Sequence, residues 1–331
     1  GLPRDDAGHF DGSAEAFRHW DEDGQVPGSC SKCHSATGLP SFLEESVSVS
    51  EPIANGFQCR TCHDAVPGYS LPPVTQVSFP SGAQLSFGEE APSNVCLQCH
   101  QGRQSTDSVR RAIADLEPDA VSDDLGFLNV HYFAAGATVF GAEARGAYQY
   151  EGQSYAGELS HPDAFDECTD CHTAHGLTVE AQPCSGCHEG VEGEDDLRSI
   201  RITEADLDGD GDVEEGIAGE IDTLHAALYT TMQAYAREGI GTPILHDSHS
   251  YPYFFVDTNG NGEADEAEIN YGNRYTSWTP RLLKAAYNYQ YVAKDPGAFA
   301  HNPTYIVQVL YDSLADLRSW ATVDLTSLTR P

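Results

Sequence analysis

Five copies of Cys-x-x-Cys-His punctuate the first 188 residues: Cys30/Cys33/His34, Cys59/Cys62/His63, Cys96/Cys99/His100, Cys168/Cys171/His172 and Cys184/Cys187/His188. In this pattern two thiols three residues apart can add across the vinyl groups of a haem, and the adjacent histidine binds the iron from one side. The motifs consume all ten cysteines. Paired Cys-x-x-Cys units also build zinc ribbons and disulfide frameworks, but neither chemistry needs a histidine after every pair. The spacing therefore predicts five covalent c-type haems, with His34, His63, His100, His172 and His188 as proximal iron ligands.

A second axial ligand must come from elsewhere in the chain. One methionine is present, Met232, and the other histidines are His9, His19, His131, His161, His175, His225, His246, His249 and His301. Methionine ligation raises haem potential, so its near absence predicts low-potential bis-histidine centres, suited to passing electrons more than to binding oxygen. The candidate distal ligands are His19, His131, His161, His175 and His301. His19 lies beside Trp20 in an amphipathic piece, and His131 is expected on a helical face with Ala134, Ala135 and Thr138, whose small side chains would admit a flat macrocycle. His161 precedes Pro162 and so lies in extended backbone. His175 follows His172 by three, so on one helical turn the two would serve neighbouring cofactors. His301 stands just before a helix cap. His9 reads as a solvated loop histidine and His225 as a core one.

The elements that must position these groups are short. Residues 74–87 and 148–157 read as hairpins, 105–116 as a brief helix, and longer helices are expected at 221–235, from Pro280 to about residue 293, and from Pro303 onward behind an Asn302 cap. The expected fold is haem-organised and mostly irregular, with short α-helices, a few small β-hairpins, and longer helices in the C-terminal part. Two regions are expected: 1–190, a pentahaem region, and 191–331, an acidic helical region packing on it.

That second region opens on an acidic run, 189–222, which holds one candidate calcium loop, and a second candidate follows at 257–268. In 257–268, Asp257, Asn259, Asn261, Glu263 (through its carbonyl), Asp265 and Glu268 occupy the ligand positions of a twelve-residue EF-hand loop, with Gly262 at the turn. In 206–217, Asp206, Asp208, Asp210 and Asp212 match, but position 12 is Ile217, so a nearby acid must substitute. A structural clip is expected rather than a sensor, because no Met-rich groove accompanies the loops.

The 331 residues carry a formal net charge of −35, which repels nucleic acid and anionic membranes and favours basic partners. No run of 18 apolar residues occurs, so no membrane span is expected. Covalent haem attachment takes place outside the cytoplasmic membrane, so a secretion signal removed before Gly1 is expected. The location that follows is extracellular or cell-surface, with the periplasm as the alternative.

Together with the five motifs, the segments AFRHWDEDG (16–24), NVHYFAAGA (129–137), CHTAH (171–175), YPYFFVDTNGNG (251–262) and AHNPTYIVQVLYDSLADL (300–317) resemble secreted multihaem c-type cytochromes of metal-respiring bacteria and archaea. The resemblance implies extracellular electron transfer along stacked haems to redox partner proteins or extracellular acceptors. Some members of the group polymerise as filaments, a histidine of one subunit completing a haem of the next, which implies self-polymerisation as a further expectation. The alternative is a multihaem reductase with one open-coordinate catalytic haem. Pentahaem nitrite reductases carry a Cys-x-x-Cys-Lys motif, however, and all five motifs here end in histidine, so the expectation is an electron carrier and not an enzyme.

Overall fold

The computed structural model describes the chain apart from residues 1–8, 10–19, 21, 55, 65–67, 132, 162–164, 202 and 322. His19 and the rest of its amphipathic piece up to Trp20 thus lie outside the described residues. The chain divides into two compact units. One comprises residues 1–78, 84–100 and 160–194; the other comprises 79–83, 101–159 and 195–331. All five Cys-x-x-Cys-His motifs fall in the first unit.

The first unit is mostly irregular backbone. Its described helices are Gly28–His34, Gly38–Glu45, Cys59–Cys62, Asn94–His100 and Cys168–Cys171, with a 3₁₀ turn at Gln182–Gly186. Two antiparallel ladders of two residues per strand accompany them, Gln25–Val26 with Glu51–Pro52 and Val77–Ser78 with Gln84–Leu85. The second of these is the hairpin expected at 74–87. Helices this short do not hold themselves in water, because nucleation fixes three residues for one hydrogen bond. Side-chain anchors hold them instead: Ser31 Oγ donates to the Val49 carbonyl at 2.6 Å and Thr61 Oγ1 to that of Ala36 at 2.7 Å. Gly38 permits the close crossing of the first two helices, since a Cβ there would stand 1.9 Å from the Ser31 carbonyl oxygen.

Among the described residues, the buried apolar side chains of this unit are few and small: Val26, Ala36, Leu39, Val74, Val77, Val95, Leu97, Ala181 and Val191. That set includes no aromatic residue. The second unit has the opposite character. Trp278, Tyr235, Tyr287, Tyr291, Tyr305, Phe140, Phe254 and Phe255 are essentially fully buried there, and each contributes on the order of 1.5–3 kcal/mol by leaving water.

The longer helices are in this second unit: Ile217–Ala234, Pro280–Ala293 and Pro303–Asp316. Thr279 caps one by accepting from the Leu282 amide and Asn302 caps another by accepting from that of Tyr305, each ahead of a first-turn proline. Ile221, Leu224, Leu228 and Met232 form the buried stripe of the first of them. The short helix expected at 105–116 runs Thr106–Ala112, closed by a capping box between Ser105 and Ser108.

Three local expectations fail. Residues 148–157 form no ladder: the Tyr150 amide donates to the Tyr155 hydroxyl at 2.9 Å, so a side chain takes the bond that a second strand would have made. His131 is outside the helix Ala135–Val139, in left-handed backbone at φ 76°, and so shares no helical face with Thr138. The helix Cys168–Cys171 ends at His172, whose backbone is extended, so His172 and His175 do not share a turn.

Candidate haem-attachment site

Each motif is a single turn. The amides of His63, His172 and His188 donate to the carbonyls of Cys59, Cys168 and Cys184 at 2.9, 2.8 and 2.8 Å, while Cys30–His34 and Cys96–His100 lie wholly within their helices. An α-helical turn of this kind sets the two thiols of a motif on one side, three residues apart, with the histidine following directly. The fifth motif departs from that arrangement. Its turn opens on Pro183 and winds as a 3₁₀ helix that closes at Gly186, so Cys187 lies just past it at φ −124°, its amide donating to the Cys184 carbonyl at 3.1 Å. Cys187 is exposed, as is Cys59, whereas the other eight thiols are half-buried. Exposure does not follow turn type alone, since Cys59 is exposed in an α-helical turn.

The turns are tied together as well. The helices bearing the first and third motifs pack so that the Cys33 thiol lies 4.0 Å from the Gln98 carbonyl and that of Cys99 lies 3.9 Å from the Lys32 carbonyl. The Ser93 amide donates to Glu167 at 3.2 Å and that of Thr169 donates to the Ser93 hydroxyl at 3.3 Å, joining the third motif to the fourth.

The thiols sense one another across motifs. Hydrogen bonding with Cys33 together with burial holds Cys99 far above the usual thiol range, and hydrogen bonding with Cys168 does the same to Cys96, while Cys168 is lowered as the partner. Burial, with Cys96 nearby, pushes Cys62 up to about 11; burial followed by Cys184 raises Cys171. Among the described residues, the groups of three or more converging metal-donor atoms consist of carboxylates alone. The described cysteines are also free of disulfides. Among the described residues the cysteines thus form neither a disulfide nor a group of three converging metal donors.

Three motif histidines stand opposite a second histidine. Ring centroids are 6.0 Å apart for His63 and His175, 6.0 Å for His100 and His9, and 6.2 Å for His188 and His161. A metal–imidazole bond of about 2 Å plus ~1.2 Å from nitrogen to ring centre places two imidazoles on opposite sides of one metal roughly 6.3 Å apart. The three separations fit an iron between each pair. The Nδ1 of His63 is buried without a hydrogen-bond partner. The sparse apolar interior of this unit fits the group too, since a macrocycle would supply the apolar surface that its side chains do not.

His9, read from the sequence as a solvated loop histidine, is half-buried. Its ring lies beside His100 and Phe57, and the Phe57 amide donates to its carbonyl. Nothing in the flanking polar, glycine-rich segment announces that position. His34 has the ring of Trp20 at 5.4 Å. His131 and His301 belong to the second unit. There His301 Nδ1 pairs with the buried Asp295 carboxylate at 2.8 Å, which raises the histidine against the opposing effect of burial. His225, half-buried, stacks on Tyr289 with ring centres 4.1 Å apart and places Nε2 2.9 Å from the Tyr289 carbonyl.

The two acidic loops of the second unit share one hydrogen-bond scheme. Asp257 accepts from the Gly260 and Gly262 amides at 2.7 and 2.9 Å, Asn259 from Asn261 at 2.9 Å, and Asn261 from Glu263 at 2.8 Å. Position for position, Asp206 accepts from Gly209 and Gly211 at 2.6 and 2.9 Å, Asp208 from Asp210 at 3.1 Å, and Asp210 from Asp212 at 2.7 Å. Asp265 accepts from the side-chain amides of Asn259 and Asn261 at 2.6 and 3.0 Å. Glu268 is buried and accepts from the Thr258 and Asn259 amides.

The profile of a family described as cytochrome c7 and related cytochrome c matches residues 15–101, which contain three of the five motifs. The C-type polyheme cytochrome OmcB of Geobacter sulfurreducens is 28% identical over 92% of this chain and 46% of its own length. OmcC of the same organism is 29% identical over 93% of this chain and 45% of its own. The chain thus spans less than half the length of these curated relatives. No solved structure matches it. Over nearly its whole length the chain is similar to multihaem c-type cytochromes, the resemblance first read from its motifs.

Proposed function

We propose that this protein carries electrons through five covalently attached c-type haems, most of them held between two histidines. The observation that carries this reading is the set of three histidine pairs at 6.0–6.2 Å, each joining a motif histidine to one outside the motifs. Bound haem iron supplies one-electron exchange between ferric and ferrous states. The cysteines tether each group at a fixed turn, Cys184 and the exposed Cys187 holding the fifth, and the imidazoles orient it. His175 is the distal donor to the second motif, His9 to the third and His161 to the fifth. His19 remains a candidate distal donor from its sequence alone. Because Cys33 adjoins Cys99, Cys62 lies near Cys96, Cys96 adjoins Cys168 and Cys171 lies near Cys184, the five attachment points would form a continuous series.

The same reading gives 257–268 a calcium ion, with Asp257, Asn259, Asn261, the Glu263 carbonyl, Asp265 and Glu268 as donors. It also places the protein outside the cytoplasmic membrane, passing charge to redox proteins or extracellular acceptors. Polymerisation, a histidine of one subunit completing a haem of the next, belongs to this proposal as well, with His131 and His301 as candidate donors. The pairing of His301 with Asp295 is the outer-sphere hydrogen bond that orients a metal-binding imidazole. Intact-mass analysis of the native protein should find five haem increments per chain, and the ferric spectrum should be low-spin. A chain carrying no covalent haem would overturn the proposal. A large high-spin fraction responding to nitrite or cyanide would favour the reductase instead.

A further inference from the structure

The loop 206–217 lacks the acidic residue at its twelfth position. In 257–268 that residue, Glu268, has its Oε1 on the amides of positions 2 and 3, Thr258 and Asn259, at 2.6 and 3.2 Å. In 206–217 the corresponding amides, Leu207 and Asp208, donate to Glu220 Oε2 at 2.8 and 2.9 Å. Glu220 comes from the first turn of the helix Ile217–Ala234 and is fully buried. Its other oxygen is engaged by Arg201 at 2.6 Å. Glu220 therefore does the backbone half of the missing residue's work.

The metal half falls to Glu215. One oxygen each of Asp208, Asp210 and Glu215 lies within 4.8 Å of the other two. With calcium–oxygen bonds of about 2.3–2.6 Å, two ligands of one ion cannot lie more than roughly 5 Å apart, so the three can meet on one ion. Asp208 is only 6% exposed, and its Oδ2 is buried without a hydrogen-bond partner inside this cluster. Glu215 Oε1 is likewise buried and unpartnered. Glycine at 219 is what lets Glu215 fold inward: a Cβ there would stand 1.8 Å from Glu215 Oε2. A buried carboxylate oxygen with no proton donor is costly unless a cation meets it.

We propose that this loop is a second calcium site in which Glu215 and Glu220 divide between them the role of the absent twelfth residue. Asp206, Asp208 and Asp210 supply the loop carboxylates, Glu215 closes the ion's coordination, and Glu220 fixes the loop backbone to the helix. This site stands independently of the haem reading and of loop 257–268.

The test uses the haem-loaded protein, stripped with EGTA, dialysed and titrated with CaCl2 by calorimetry, with bound calcium counted by elemental analysis. Two ions per chain are expected. Glu215→Gln should weaken one of them at least tenfold, Glu268→Gln should weaken the other, and the pair together should abolish both. Asp208→Asn should act as Glu215→Gln does; should it fail to fold by circular dichroism, Glu215→Gln, on a half-buried side chain with no hydrogen bond to the backbone of the loop, decides alone. One ion abolished by Glu215→Gln and untouched by Glu268→Gln would support this site and sink the calcium reading of 257–268. Two ions of unchanged affinity in Glu215→Gln, or a single ion lost only in Glu268→Gln, would overturn the inference.

Discussion

On the proposed reading individual histidines carry the chemistry, and they can be tested one at a time. If His9 binds the iron opposite His100, His9→Ala opens one coordination position and leaves the tether and proximal ligand in place. A ferric high-spin signal amounting to one haem per chain is the expected outcome in electron paramagnetic resonance, with the haem count by mass unchanged. His9→Met should instead keep that centre low-spin and raise its midpoint potential, because thioether ligation favours the ferrous state. A spectrum identical to wild type in both variants would remove His9 from the ligand set. His246 permits a pH test away from the motifs. It is largely buried, its Nε2 lies 2.6 Å from Gln290 Oε1, and burial pushes it down to about 4. Between pH 6.5 and 4 the unfolded chain therefore binds a proton at this site that the folded chain refuses, so folding stability falls as pH drops through that window. A shift of this size corresponds to at most about 3 kcal/mol, and urea melts at pH 7 and 4.5 should show a smaller loss in His246→Gln than in wild type.

At the scale of elements, the long helices of the second unit were legible because their end signals are local. Thr279-Pro280 and Asn302-Pro303 state a cap and a first turn in two residues each, and the observed helices begin at those prolines. Asn302 does more than its sequence position reveals: besides capping, its side-chain amide donates to the Val139 and Gly157 carbonyls at 3.1 and 2.8 Å. Asn302→Ala removes a cap worth about 1 kcal/mol and leaves two inward carbonyls without their donor, for a loss of roughly 3 kcal/mol in all. Asn302→Ser should keep the cap and lose the donors, placing its thermal midpoint between wild type and alanine; equal midpoints for the two variants would refute the division. The short elements were harder to read. His131 and His172 leave the helical region where the local pattern favours a turn, because tertiary bonds such as that of the Phe133 amide to the Lys294 carbonyl set the backbone there. The five cysteine motifs read alike, yet Pro183 gives the last of them a tighter turn. Loop 206–217 shows the same limit: its first half spelled an ion site plainly, while Glu220 could be found only by carrying the search one helical turn past the end of the motif.

Across the whole molecule, the two units obtain their order by different means, and chemical treatment should separate them. The second unit has a conventional core of aromatic and aliphatic side chains, along with buried ion pairs such as Arg330 with Asp312 at 2.9 Å. The first has short turns and few buried apolar groups, so on the proposed reading its order depends on the attached macrocycles. Chain expressed without haem maturation, or with the motif cysteines changed to alanine, should then retain the second unit's helical circular dichroism and lose protection from protease in 22–78, 84–100 and 168–194. Calcium removal should do the reverse, lowering the thermal midpoint of the helical signal by several degrees and leaving the visible haem spectrum as it was. The asymmetry follows from where the groups sit. The cysteine motifs lie wholly in the first unit and the acidic loops wholly in the second, and a bound group stabilises the unit whose folded state holds it and whose unfolded state does not. Haem-free chain with the first-unit segments as resistant to protease as in the native protein would show that side chains alone suffice to order that unit, and the macrocycles would then be passengers on the fold.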